Sequence, residues 1–314
     1  MNDDNQKLLV LDYSDFDCLP EFSSMSLTYF LPVFNEDPFL KFRPFPETST
    51  IPLVAHWHEI VGSFLMYILV QKLSPMVSSR LFGKSYNQLN YKTKINFDIH
   101  VVSMVQCVVS VLALIPMWNH PTWKNREVDP TSAVLAYYPY GGFVSSISVG
   151  YFLWDLVVCF KYMNLFGPGF LVHAVSALFV FGSTLFPFCL PWVPAFLIFE
   201  LSTPFVNINW FASKMPAGFV SDTTVIVNGI LLLVTFFTVR ILWGFYSAIV
   251  VARDMFAVWD QLYKVLPVGT LLLNFTLNIL NVYWFYRMLL IAKKKAAGKK
   301  TTKEAEHELA HKIE

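Results

Sequence analysis

Long apolar blocks separated by short polar connections dominate the chain, and that pattern sets the expected elements. Seven apolar stretches follow residue 52, at roughly 53–73, 97–118, 143–163, 170–190, 193–213, 225–251 and 265–292. Each approaches the ~20 residues an α-helix needs to cross a hydrocarbon core. The expected fold is all-α: a polytopic membrane protein with about seven transmembrane helices in one bundle. Pro187, Pro191 and Pro194 crowd the junction of the fourth and fifth stretches, which leaves a single broken hairpin open there. No internal repeat is visible.

Composition agrees with this reading and charge gives it a direction. Hydrophobic residues make up 55% of the 314 positions and charged residues 14%. A soluble domain carries about 25% charge. The net charge of +1 conceals segregation along the chain. Residues 1–50 hold nine acidic side chains against Lys7, Lys41 and Arg43, and prolines at 20, 32, 38, 44 and 46 oppose any long helix. No basic stretch followed by an apolar one opens the chain, so a cleaved signal peptide is not expected. The 72–96 connection contains Lys72, Arg80, Lys84, Lys92 and Lys94 and no acid, which marks it as cytosolic. Seven alternating spans then place the basic tail, opening at Lys293, Lys294 and Lys295, in the cytosol and the acidic N-terminus in the lumen. The expected organisation is an acidic lumenal segment over 1–50, a membrane domain over 51–292 and a polar cytosolic tail over 293–314. Basic residues confined to one loop and one tail provide no face for nucleic acid. Cys18, Cys107, Cys159 and Cys189 show neither metal nor redox spacing, so they are expected to be reduced.

Ionisable residues within apolar blocks are the candidate chemistry, because each costs on the order of 3 kcal/mol on insertion scales. They are His56, His58 and Glu59; Asp98 and His100; Asp155; His173; Glu200; and Arg240. Counted at ~1.5 Å per residue, His100 and His173 lie ~5 Å inside their cytosolic ends and Asp155 ~12 Å. These three can form a His100–Asp155–His173 cluster in the cytosolic half, read either as the candidate catalytic or anion-binding group or as interhelical hydrogen bonding between the second, third and fourth stretches. Glu200 and Arg240 count to ~10–17 Å from the lumenal face, and are expected to pair directly or through His56 or Glu59. The last stretch carries Asn274, Asn278 and Asn281 on one helical face. Their amides suit either helix–helix hydrogen bonding or the wall of a polar cavity. Asn207, Asn278 and Asn281 are the candidate lipid-contacting amides.

Motifs associated with other chemistries are incomplete. His56-Trp57-His58-Glu59 lacks a zincin's second histidine, since Gly62 stands in its place. His56 and Glu59 share a helical face, and a structural interface is the expected role for them. His307 and His311 stand four apart in the tail without further ligands, where a solvated polar tail is expected. No Walker motif, dinucleotide fingerprint or nucleophile elbow is present. Neither a metal nor a cofactor is expected. The sequon Asn274-Phe275-Thr276 falls within the last stretch, out of reach of glycosylation.

Several segments read in order carry a family resemblance: KTKINFDIHVVS (92–103), GYFLWDL (150–156), FLVHAVSALF (170–179), ELSTPFVNINWF (200–211), FFTVRILWG (236–244) and NVYWFYRM (281–288). Together they resemble the TLC domain shared by translocation-associated membrane proteins, ceramide synthases and smaller TLC-domain-containing proteins. The resemblance spans roughly residues 50–292 and is most similar to the branch that includes transmembrane protein 56. It implies a helical domain of the endoplasmic reticulum membrane that works with lipids. Ceramide synthases carry a His-His pair and a later His-Asp pair; Val172-His173 and Phe199-Glu200 stand at those places here. Valine and phenylalanine cannot supply acid–base or nucleophilic chemistry, so ceramide synthesis is not the expectation. The leading expectation is a protein that binds a membrane lipid or acyl chain and influences lipid composition. The alternatives are an acyltransferase using His173 and His100 as base, and a secretory-pathway receptor recognising cargo through its acidic N-terminus. A protein partner or homodimer stays open.

Overall fold

The computed structural model describes residues 31–43, 51–125, 128–216 and 218–296. The expected lumenal residues 1–30, the tail histidines His307 and His311, and Cys18 lie outside the described residues. Within them the chain is all-helical, with no strand. Five helices are long and apolar enough to cross a membrane: α1 (Trp57–Phe82), α2 (Tyr91–Trp118), α3 (Pro139–Lys161), α6 (Asp222–Ala257) and α7 (Val265–Ala296). Between α3 and α6 stand a shorter apolar helix, α4 (Pro168–Ser183), and a broken segment ending in α5 (Thr203–Lys214). The expectation of seven spans thus meets five long helices, one short helix and one interrupted descent.

Local chemistry explains where each helix begins. Asn90 caps α2 by accepting from the Thr93 amide at 2.9 Å, and Ser221 caps α6 by accepting from the Thr224 amide at 3.1 Å. The Asn90 cap starts α2 six residues before its apolar block. Gly167, at φ +80°, turns the chain into α4, whose first residue is Pro168. The descent from Leu190 to α5 is broken into a 3-10 turn (Leu190–Trp192), a short α-helix (Val193–Leu197) and a second 3-10 turn (Ile198–Ser202). Pro191, Pro194 and Pro204 stand along it.

Helix α3 is the hub, lying against both α1 and α4, while α2 packs on α5 and α4 on α7. Small residues make this possible: Gly141, Gly142, Ser145, Ser146, Ser148 and Gly150 are all buried on α3. Lipid provides no hydrophobic force between helices, so close backbone approach and hydrogen bonds must hold them together. At Gly150 the approach is tight, since a Cβ there would stand 2.6 Å from both the Ile60 carbonyl oxygen and Ser63 Cβ. Ser63 Oγ donates to the Ile147 carbonyl across the same seam, at 2.7 Å.

Residues 31–43 form a strap over the end of the bundle where α1 and α3 begin. The Tyr140 amide donates to the Asn35 carbonyl at 3.0 Å, and Asn35 Oδ1 meets His120 Nε2 at 2.9 Å. His120 stacks on Tyr138 with centroids 3.8 Å apart, and burial lowers its pKa from 6.5 to about 4. At the opposite end of the bundle, Asp98 accepts from Ser74 at 2.7 Å and from Tyr86 at 3.1 Å, tying α1 to α2.

Candidate functional site

The polar residues of the interior converge where the broken descent meets the middle of α6. Between Asp222–Phe236 and Trp243–Ala257, residues Phe237–Leu242 form a π-helical turn, and Arg240 projects from it. Such turns are rare and frequently mark functional positions. Arg240 Nε donates to Ser202 Oγ at 2.9 Å and Nη2 to Thr203 Oγ1 at 3.2 Å. Its guanidinium carbon stands 5.2 Å from the centroid of Phe236 and 5.8 Å from that of Phe199.

Glu200, on the second 3-10 turn, lies close enough to act through space on Arg240, Asp155, Tyr151, Tyr67 and Cys107. One carboxyl is thereby exposed to groups from α1, α2, α3 and α6. No ion pair within 4 Å joins Glu200 to Arg240; the Ser202 and Thr203 hydroxyls hold the guanidinium instead. His56 and Glu59 are not intermediaries either, because they bond to each other and to Tyr137 at the strap end.

The expected cytosolic trio is divided among three settings. His100 Nδ1 donates to Asn207 Oδ1 at 2.7 Å, and the ring stacks on Trp210 with centroids 4.2 Å apart. With Nδ1 committed as donor, the Nε2 lone pair remains for a proton or ligand. Asp155 accepts a long 3.6 Å contact from Cys159 Sγ and faces Glu200. His173 meets Trp284 edge-on at 5.5 Å, leaves Nδ1 buried without a hydrogen bond, and interacts through space with Arg240. No hydrogen bond joins His100, Asp155 and His173 to one another.

Helix extent accounts for the departure from two clusters at two depths. Because α2 starts at its cap, His100 is nine residues inside it, ~13 Å at 1.5 Å per residue. Because α6 continues to Ala257, Arg240 stands near its middle instead of in one half. Asp155 is linked through space to Glu200 and His173 to Arg240, so groups expected at two separate depths influence one another. The amides are engaged by protein: Asn207 Nδ2 donates to Ser103 at 3.1 Å, Asn278 donates to Asn274 at 2.8 Å, and Asn281 is 3% exposed. Sequence reading missed the Tyr67–Gln106–Ser110 chain, in which the Tyr67 hydroxyl donates to Gln106 and Gln106 donates to Ser110 at 2.7 Å. The four-residue spacing of Gln106 and Ser110 on α2 was its only signal.

Among the described residues, Asp37, His56 and Glu59 make up the group of side chains arranged to hold a metal ion, at the strap end.

Comparison with known proteins gives a consistent picture. Residues 96–290 match the family model described as the TLC domain. Topoisomerase I damage affected protein 4 of Saccharomyces cerevisiae is 41% identical over 271 residues, 85% of this chain and 94% of that protein. TLC domain-containing protein 4-B of Danio rerio is 29% identical, covering 79% of this chain and 92% of its own. The human TLC domain-containing protein 4 is 26% identical, covering 73% and 83%. No solved structure matches.

Proposed function

Since the chain belongs to the TLC-domain family, as a multi-pass membrane protein of the TLC domain-containing protein 4 group and not a ceramide synthase, we propose that it binds a lipid or acyl chain within its bundle and so influences membrane lipid composition, in the endoplasmic reticulum. The observation that carries this reading is Arg240. A guanidinium in the middle of a membrane helix, with hydroxyl partners and no carboxylate within 4 Å among the described residues, keeps capacity for an anionic group. A lipid headgroup or fatty carboxylate would supply the missing charge in an environment where an unpaired cation is costly. His173, whose buried Nδ1 has no hydrogen bond and which interacts through space with Arg240, would add a hydrogen bond.

An acyl-transferring activity is the second reading, and it rests on the His100 ring. Its pinned Nδ1 orients Nε2 as a base, although Val172 and Phe199 replace two histidines of the ceramide synthases. Native mass spectrometry of gently purified protein tests both. A co-purified anionic lipid or fatty acid, lost from the Arg240→Met variant, is expected. Acyl-CoA in its place would favour transfer, and an empty bundle in both proteins would overturn lipid binding.

A further inference from the structure

We propose that Asp37, His56 and Glu59 form a binding site for one divalent transition-metal cation, joining the N-terminal strap to the start of α1. His56 Nε2 lies 2.7 Å from the Tyr137 hydroxyl, and Nδ1 turns toward Glu59 Oε2 at 2.8 Å and Asp37 Oδ2 at 3.4 Å. All three ligand atoms fall within 4.8 Å of one another. The side chains are almost sealed from solvent, at 1% exposure for His56, 0% for Asp37 and 3% for Glu59.

Charge and hydrogen bonding are both incomplete in this cluster. Asp37 Oδ1 accepts from the Phe39 amide at 2.7 Å, but Asp37 Oδ2 and Glu59 Oε1 are buried without a hydrogen-bond donor. Neither carboxylate has a lysine or arginine within 4 Å among the described residues; histidines are their ion-pair partners. Two carboxylates and a neutral imidazole sum to two buried negative charges. One proton on His56 offsets half of this and a second, shared between Asp37 and Glu59, would offset the rest, whereas a divalent cation offsets all of it at once. If Tyr137 accepts the Nε2 proton, three acceptor atoms converge with no donor between them, which is the electrostatic signature of a cation site. Tyr137 then serves as the outer partner that fixes the imidazole tautomer.

The dimensions agree with that occupant. Ligands ~2.1 Å from a tetrahedral ion stand about 3.4 Å apart. The Asp37–His56 separation of 3.4 Å already matches, and the 2.8 Å His56–Glu59 contact needs to open by roughly half an ångström. One imidazole nitrogen with two carboxylates favours zinc or manganese over the harder calcium and magnesium. Sequence reading could not find this site because Asp37 lies 19 residues before His56 and reaches it only through the fold.

Full-length protein in detergent, stripped with EDTA and desalted, is titrated with zinc sulfate. Bound zinc per chain is measured after gel filtration, together with the thermal unfolding midpoint. One zinc per chain and a higher midpoint are expected for the wild type. An Asp37→Asn/Glu59→Gln variant should retain less than about a tenth of the zinc and show no shift. Should that variant not fold, Asp37→Asn alone, which changes the strap and no helix, is expected to bind zinc at least tenfold more weakly. Absence of zinc from the wild type, equal zinc in wild type and variant, or an equal midpoint shift with magnesium would each overturn the assignment.

Discussion

Arg240 shows how a single side chain can be expensive and still be retained. Its two hydrogen bonds go to hydroxyls of the broken descent, and Phe199 and Phe236 flank its plane. The nearest compensation by charge is Glu200, which acts through space without touching it. Deleting either charge leaves the other less balanced inside the membrane. Arg240→Met is therefore expected to reduce abundance strongly, and adding Glu200→Gln should recover part of it. Quantitative fluorescence-detected gel filtration of the single and double variants checks this; equal loss in both would show that the residues do not couple. The identities of these residues were legible in the sequence as ionisable side chains in apolar surroundings. Their partners were not, because depth was counted from the edges of apolar blocks while the helices begin at caps and end beyond those blocks, as α2 and α6 do.

Among the elements, α3 carries the tightest constraint. The seam at Gly150 admits no side chain, since one obstruction is the Ile60 backbone carbonyl, which cannot swing aside. Gly150→Ala should separate α1 from α3 and cost about 1–3 kcal/mol as overpacking. Gly62→Ala serves as the control, because nothing lies within 4 Å of a Cβ built there. Thermal midpoints of the two variants in the same detergent decide it, with only Gly150→Ala expected to fall. Helices α2, α3 and α7 were legible as apolar blocks of spanning length. The descent through Glu200 was not, because a hydropathy profile is blind to helix type: residues 190–202 are as apolar as a continuous span, yet they switch repeatedly between 3-10 and α geometry. The π-helical turn around Arg240 was equally hidden, since FTVRIL contains neither glycine nor proline to announce it.

At the scale of the whole molecule, the connections support a proposed sidedness. The basic 72–96 connection and the lysines ending α7 carry the same sign, and the positive-inside rule assigns both to the cytosol. A reporter fused after Glu314 is accordingly expected to be protease-accessible in sealed microsomes, and one fused at the N-terminus protected. Protection of the C-terminal reporter would reverse the assignment.

The strap also has a consequence for the order of events during biosynthesis. Asn35 is made early, yet its partners His120 and Tyr140 come 85 and 105 residues later. At ribosomal rates of ~5–20 residues per second, that delay is roughly 5–20 s. For most of this interval the strap has only the start of α1 to meet, and α2 and the start of α3 must also emerge before it can close. The first described part of the chain to leave the ribosome thus waits for helices made after it, and its docking requires α1, α2 and the start of α3 to be in place.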